Sequence, residues 1–130
     1  MLDHASITVS DIPRAERFYD AVMAALGYPK VGARGDWLGY GLRCDSEHPG
    51  RSYFTVWLGV APDPAHGRHL CFKAPSRSAV DAFWRAGLSA GGSGDGGPGL
   101  RPHYHPHYYA AFLADPDGNR LEAVCHRALE

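Results

Sequence analysis

Polar and apolar residues alternate over two short stretches of this chain, His4 to Val9 and His69 to Ala74, and alternation of period two marks strands. A shift of 65 positions superimposes them without a gap: His4 falls on His69, Ile7 on Phe72 and Val9 on Ala74. Asp11 then falls on Ser76, and both residue types cap helix N-termini. Apolar residues follow at i, i+3, i+4 spacing, as Ala15, Phe18, Tyr19, Val22 and Leu26 in the first copy and Val80, Phe83, Trp84 and Leu88 in the second. Gly27 falls on Gly92, which predicts a helix stop at the same point in each half.

After the first helix, Tyr28–Val31, Trp37–Leu42 and Tyr53–Leu58 are aromatic or β-branched runs separated by Gly, Asp and Pro clusters, and they predict three further strands. The second half shows Tyr108–Leu113 and Arg120–Val124, joined by the turn Asp115-Pro-Asp-Gly-Asn119. Its remaining strand is weakly marked, because Gly91–Gly99 holds six glycines and one proline and reads as a loop. That loop is no phosphate cradle, since no lysine follows Lys73. The pattern is α+β, two tandem βαβββ modules over about residues 1–62 and 66–127, curled around one pocket.

Alternation puts His4 on one face with Ser6 and Thr8, and His69 on one face with Cys71 and Lys73. The opposite faces, Ala5, Ile7, Val9 and Leu70, Phe72, Ala74, suit packing beneath the helices. Both histidines therefore point into the concave polar side. The last strand adds Glu122, a carboxylate flanked by apolar residues on both sides. Two histidines and one carboxylate form a metal site with open positions, suited to a divalent ion such as Fe, Mn, Ni or Zn. The same 65-position shift carries Glu122 onto Trp57, so the first half offers an indole where a fourth ligand would stand. Trp57 is expected to wall the pocket or stack on a planar substrate.

The opening His4-Ala-Ser-Ile-Thr-Val-Ser-Asp with Phe18-Tyr19, and the closing Asp115-Pro-Asp-Gly-Asn-Arg-Leu-Glu122, resemble the vicinal oxygen chelate superfamily of glyoxalases, bleomycin-resistance proteins and extradiol dioxygenases. The resemblance implies an open, eight-stranded barrel-like sheet and places the metal ligands at His4, His69 and Glu122. It implies a lyase or dioxygenase-like enzyme rather than a true glyoxalase I, which uses a fourth carboxylate or amide where Trp57 stands. The other class within the family, a metal-free ligand-sequestering protein of the bleomycin-resistance kind, works as a dimer.

The segment Arg101-Pro-His-Tyr-His-Pro-His-Tyr-Tyr109 borders the inferred pocket. Tyr104, His105 and Tyr109 are its candidate proton donors and acceptors, and Arg101 its candidate clamp for an anionic substrate group. Pro106 breaks the alternation of His103, His105 and His107, which argues against a second metal there. Cys71 reads as a small buried thiol and Trp84 as core.

Composition narrows the partners. Thirteen basic and fourteen acidic side chains nearly cancel, so no field favours nucleic acid or a membrane surface, and a small-molecule substrate is the default, with a homodimer allowed. At 130 residues and 45% hydrophobic the chain has the size and core of one glyoxalase-like unit. No apolar run is long enough to span a bilayer, and three widely spaced cysteines do not suit a disulfide framework, so a cytoplasmic setting is expected.

Overall fold

The computed structural model describes residues 1–60 and 68–128; the expected junction between modules, near residues 62–66, lies outside them. Strand β1 (His4–Val9) leads into helix α1 (Ile12–Leu26), then β2 (Lys30–Arg34), β3 (Trp37–Gly41) and β4 (Tyr53–Leu58). The second module repeats the order with β5 (His69–Lys73), α2 (Arg77–Ser89), two short strands β6 (Ser93–Gly94) and β7 (Gly99–Leu100), then β8 (Tyr109–Ala114) and β9 (Arg120–Cys125). Each module opens with a helical crossover, so β1 lies parallel to β4 and β5 parallel to β9, while the other pairs are antiparallel. The result is a four-stranded sheet ordered β1-β4-β3-β2 and a five-stranded sheet ordered β5-β9-β8-β6, with β7 also on β8. The two sheets do not close on each other.

The expected eight strands become nine because the glycine-rich run is not simply a loop. Two pieces of it pair with β8, and the chain leaves the ladder between them.

Both predicted caps form. Asp11 accepts from the Arg14 N–H at 2.9 Å and Ser76 from the Ala79 N–H at 3.0 Å, each with an extended backbone. The first helix ends at Gly27 in the left-handed conformation, φ +84°, with the Tyr28 N–H returning to Met23 O. In the second helix the left-handed residue is Gly91, φ +100°, and Gly92 makes the returning bond to Gly87 O. The stop thus falls one residue before the Gly92 equivalence predicted. The helix also turns its stripe: Val80, Phe83 and Gly87 are buried, and Leu88 is exposed.

The core lies on the helix-covered faces, where Phe18, Tyr19, Val22, Leu38, Val56, Phe83, Leu113 and Leu121 lose nearly all contact with solvent. Helix α2 crosses α1 closely at Gly87, where an added Cβ would stand 2.3 Å from Leu113 Cδ1 and 3.2 Å from Val22 Cγ1.

A buried hydrogen-bond hub joins the modules. Tyr19 Oη donates to Asp115 Oδ2 at 2.6 Å, Asn119 Nδ2 donates to the same oxygen, and the backbone N–H groups of Asp117 and Asn119 donate to Asp115 Oδ1. Asn119 Nδ2 also reaches Thr8 O at 3.1 Å, and Asp117 accepts from the Ser10 N–H, the Ser10 hydroxyl and Arg14. The turn of the last hairpin is thereby fastened to the end of β1 and the start of α1. Burial, then the adjacent Asp115, holds the Tyr19 hydroxyl well above the usual phenol range, so it remains a donor.

Four substitutions test this hub and the packing at the glycines. Asp115→Ala strands the Tyr19 hydroxyl and the Asn119 amide and is expected to cost about 3 kcal/mol in urea unfolding. Tyr19→Phe is expected to cost only about 1 kcal/mol, because Asp115 keeps its other donors. Gly92→Ala drives a Cβ to 2.4 Å from Phe18 and 2.9 Å from two carbonyl oxygens and is expected to lose about 2 to 3 kcal/mol. Gly35→Ala, with nothing within 4 Å, should stay within about 0.5 kcal/mol of the parent.

Candidate functional site

The register of β9 decides which side chains meet. Cys71 lies opposite Glu122 in the β5–β9 pair, and Phe112 lies opposite Glu122 in the β8–β9 pair. All three occupy the face away from the helices. Glu122 is only 4% exposed, and its two oxygens are separately engaged. Oε1 accepts from His69 Nε2 at 2.8 Å, and Oε2 accepts a short hydrogen bond from the Tyr108 hydroxyl. Donation from Nε2 leaves His69 Nδ1 as the lone-pair nitrogen of its neutral ring. The His69 ring also lies 6.1 Å from Phe112.

Cys71 is exposed rather than the buried thiol expected, because it stands on the open face of β5; desolvation by its neighbours, then the charge of Glu122, pushes the thiol up to about 12, so beside the carboxylate it is neutral at physiological pH. Burial and then the bond to Glu122 likewise raise Tyr108, which keeps its proton and donates it to the carboxylate.

Of the three expected ligands, His69 and Glu122 are brought together and His4 is not. His4 stands on β1, at the edge of the other sheet, with its side chain 52% exposed. It stacks on Tyr53 at 5.2 Å, and its Nδ1 bonds Asp3 at 2.8 Å. Among the described residues, no three His, Cys, Asp or Glu side chains gather into one metal-binding group.

The first module's counterpart of Glu122 is Thr55, and this corrects the equivalence with Trp57. Ser6, 65 positions before Cys71, pairs with Thr55, whereas Cys71 pairs with Glu122, so the last strands are offset by 67. The cause is a pair of unequal loops. The first module spends residues 42–52 between β3 and β4, the second only 115–119 between β8 and β9, while its path from helix to β8 is longer. The Thr55 hydroxyl bonds Ser6 at 2.7 Å and accepts from Trp57 Nε1 at 3.2 Å. Trp57 itself stays on the open face, 39% exposed, stacked on Trp37 with centroids 6.1 Å apart.

The rim residues divide. Tyr109 faces the helices rather than the pocket: its hydroxyl donates to Asp81 at 2.6 Å and Arg77 lies over its ring. Tyr108, one residue earlier, takes the position beside Glu122. The signal was present in the sequence, because alternation back from the apolar Leu113 and Ala111 sends Tyr109 inward. Tyr104 is exposed and lies 4.7 Å from the Tyr108 ring. His105 Nδ1 accepts the His107 N–H at 3.1 Å, so its neutral ring carries the proton on Nε2 and donates it to His126 Nδ1 at 2.9 Å. Both imidazoles pack edge-on against Tyr108. Arg101 spends Nη1 on Gly99 O and Nη2 on Gly97 O, with its guanidinium over Phe112, so it clips the glycine-rich segment to β8 instead of projecting toward a ligand.

The glyoxalase/bleomycin resistance protein/dioxygenase superfamily profile matches residues 1–123. A glyoxalase/bleomycin resistance protein from Albidiferax ferrireducens T118 is 31% identical with a TM-score of 0.76, over 98% of this chain and 99% of that one. The fold is shared with the fosfomycin resistance protein FosX from Mesorhizobium loti, at 17% identity, TM-score 0.68 and coverage of 98% and 92%. It is shared as well with FosX from Listeria monocytogenes, solved with Mn(II) and 1S,2S-dihydroxypropylphosphonic acid, at 14% identity, TM-score 0.68 and coverage of 100% and 90%. No protein of curated function matches the sequence. The paired modules, the Asp115–Glu122 hairpin and the match along nearly the whole chain place this protein in the glyoxalase/bleomycin resistance protein/dioxygenase superfamily.

Proposed function

We propose that the chain is a metal-dependent enzyme acting on a small molecule, with Glu122, His69 and His4 as its ligand set. The observation that carries this reading is the buried Glu122 carboxylate facing His69 Nε2 at 2.8 Å. An imidazole nitrogen and a carboxylate oxygen that share one proton are a donor pair for a divalent cation, which would take the place of that proton between them once the neutral ring carries it on Nδ1 instead. Iron, manganese, nickel or zinc held there supplies Lewis acidity toward a substrate oxygen. The Mn(II)-bound FosX relative of the same fold supports the same cation class.

The chain's own residues supply the rest. Tyr108 orients Glu122 through its hydroxyl, as outer partners of metal ligands do. Tyr104 and His105 stand on the rim as proton donors and acceptors for substrate. Thr55, a hydroxyl already bonded to Ser6 and Trp57, leaves no fourth carboxylate, which favours lyase or dioxygenase-like chemistry over that of glyoxalase I. His4, exposed on the edge of the other sheet, joins the pair from a second copy of the chain, making the active unit a homodimer whose site is shared. Nothing in the described residues is long and apolar enough as a helix to cross a membrane, and the three cysteines are unpaired, in keeping with a cytoplasmic enzyme.

Metal analysis after supplementation with Mn(II) or Zn(II) should give stoichiometric metal, and His69→Ala, Glu122→Ala and His4→Ala should each weaken it at least about tenfold. A parent protein that takes up no stoichiometric metal would sink the reading. Mixing His4→Ala with Glu122→Ala chains tests the sharing, since one intact site then re-forms per heterodimer; binding absent from either variant alone should return in the mixture. Tyr108→Phe should lower metal affinity about tenfold while costing the metal-free protein only about 1 kcal/mol in urea unfolding.

A further inference from the structure

On the open face of the first module, a groove of about 330 Å³ is lined by Ser6, Ile7, Thr8, Trp57 and Arg68. That volume suits a small ligand. Its polar groups are mostly spent inside the protein. The Thr8 hydroxyl donates to Val60 O at 2.8 Å, and Ser6 is bonded to Thr55. Arg68 differs: it is exposed and has no hydrogen bond or ion pair among the described residues. Among the described residues, the lining therefore offers a ligand one unspent guanidinium and little other polar recognition.

Trp57 supplies the second element. Its indole N–H is satisfied by Thr55, and one side of its ring is held by Trp37. Trp37 is itself seated over Gly32 and Gly39, where an added Cβ would meet its ring at 2.5 and 2.6 Å, and Arg34 lies over it at 4.9 Å. Trp37, braced by two glycines and an arginine, thus fixes the plane of a Trp57 ring that remains 39% exposed. An aromatic face held this firmly, with its polar atom already paired, costs little ordering when a planar group stacks on it.

We propose that this groove binds planar aromatic anions, with Trp57 as the stacking wall and Arg68 as the counter-charge. The guanidinium presents a fork of N–H donors that matches a carboxylate or phosphate in two parallel bonds. Arg68 thereby takes the part that Arg101, tied to two carbonyl oxygens, does not play. The assignment names the substrate class for the enzyme proposed above and rests on that reading only for what happens to the ligand after it binds.

The test is calorimetric titration of the full chain with 2-naphthoate and with neutral 2-naphthamide, in the presence of a chelator so that no cation can hold the carboxylate. Naphthoate should bind saturably and at least about tenfold tighter than naphthamide. Arg68→Gln should remove that preference, whereas Arg85→Gln, a charge control on α2, should leave it intact. Trp57→Leu should weaken both ligands about tenfold, with Trp57→Phe retaining most of the affinity because a stacking ring remains. Equal affinity for acid and amide, a preference that survives Arg68→Gln, or binding indifferent to Trp57→Leu would each overturn the assignment. Since the titration contains no free metal, failure of metal loading in the earlier experiment leaves this result unaffected, and failure here leaves that one unaffected.

Discussion

The Asp115 carboxylate is the interaction on which the arrangement of the molecule most depends. It is buried, belongs to the turn between β8 and β9, and collects donors from its own turn and from Tyr19 on α1. A charge removed from water persists only when its lone pairs are filled, so the turn has one conformation and the helix one position relative to it. Glu122 stands three residues beyond Asn119, on the strand that this turn launches. The residue that fixes the hairpin therefore also sets the height and direction of the carboxylate at the candidate site, although it never touches it.

Each sheet keeps its two faces chemically separate. The helix side is filled by closely packed apolar residues, with Gly87 and Gly92 admitting contacts that a side chain would prevent. The open side carries the polar and aromatic groups, and the large ring of Trp37 there rests on Gly32 and Gly39. In the second sheet the open side is organised around one buried carboxylate. In the first it is organised around a hydroxyl and two stacked indoles. The halves share a backbone plan but offer a ligand different chemistry.

Much of this was legible in the sequence, and the reasons for success and failure are physical. Period-two and period-3.6 patterns depend on local burial, so β1, β5 and both helices stand out, and Asp11 and Ser76 cap as their side chains dictate. The strands β6 and β7 did not, because glycine carries no side chain to reveal a face. Trp57 was matched to Glu122 because a shift without gaps cannot see one loop shortening while another lengthens. Tyr109 was placed at the pocket because proximity in sequence was weighed above alternation. Arg101 was expected at a ligand, since backbone carbonyls that would occupy its guanidinium are invisible in a string of residue types. The meeting of His69, Glu122 and Tyr108 needed the strand register, which no single strand encodes.

The change of offset between the two halves, from 65 at the first strands to 67 at the last, has a consequence for how such a chain tolerates insertions and deletions. The change is absorbed in the loops, which add or lose residues without turning over the strands they join. A one-residue slip of β9 against β5 would be another matter: every side chain of β9 would exchange sides, Glu122 would be driven under α2, and Leu121 and Ala123 would be turned out to water. Length therefore varies between the strands and not within their pairing, and a hydroxyl and a carboxylate have come to occupy matching places without any one-to-one match in the sequence.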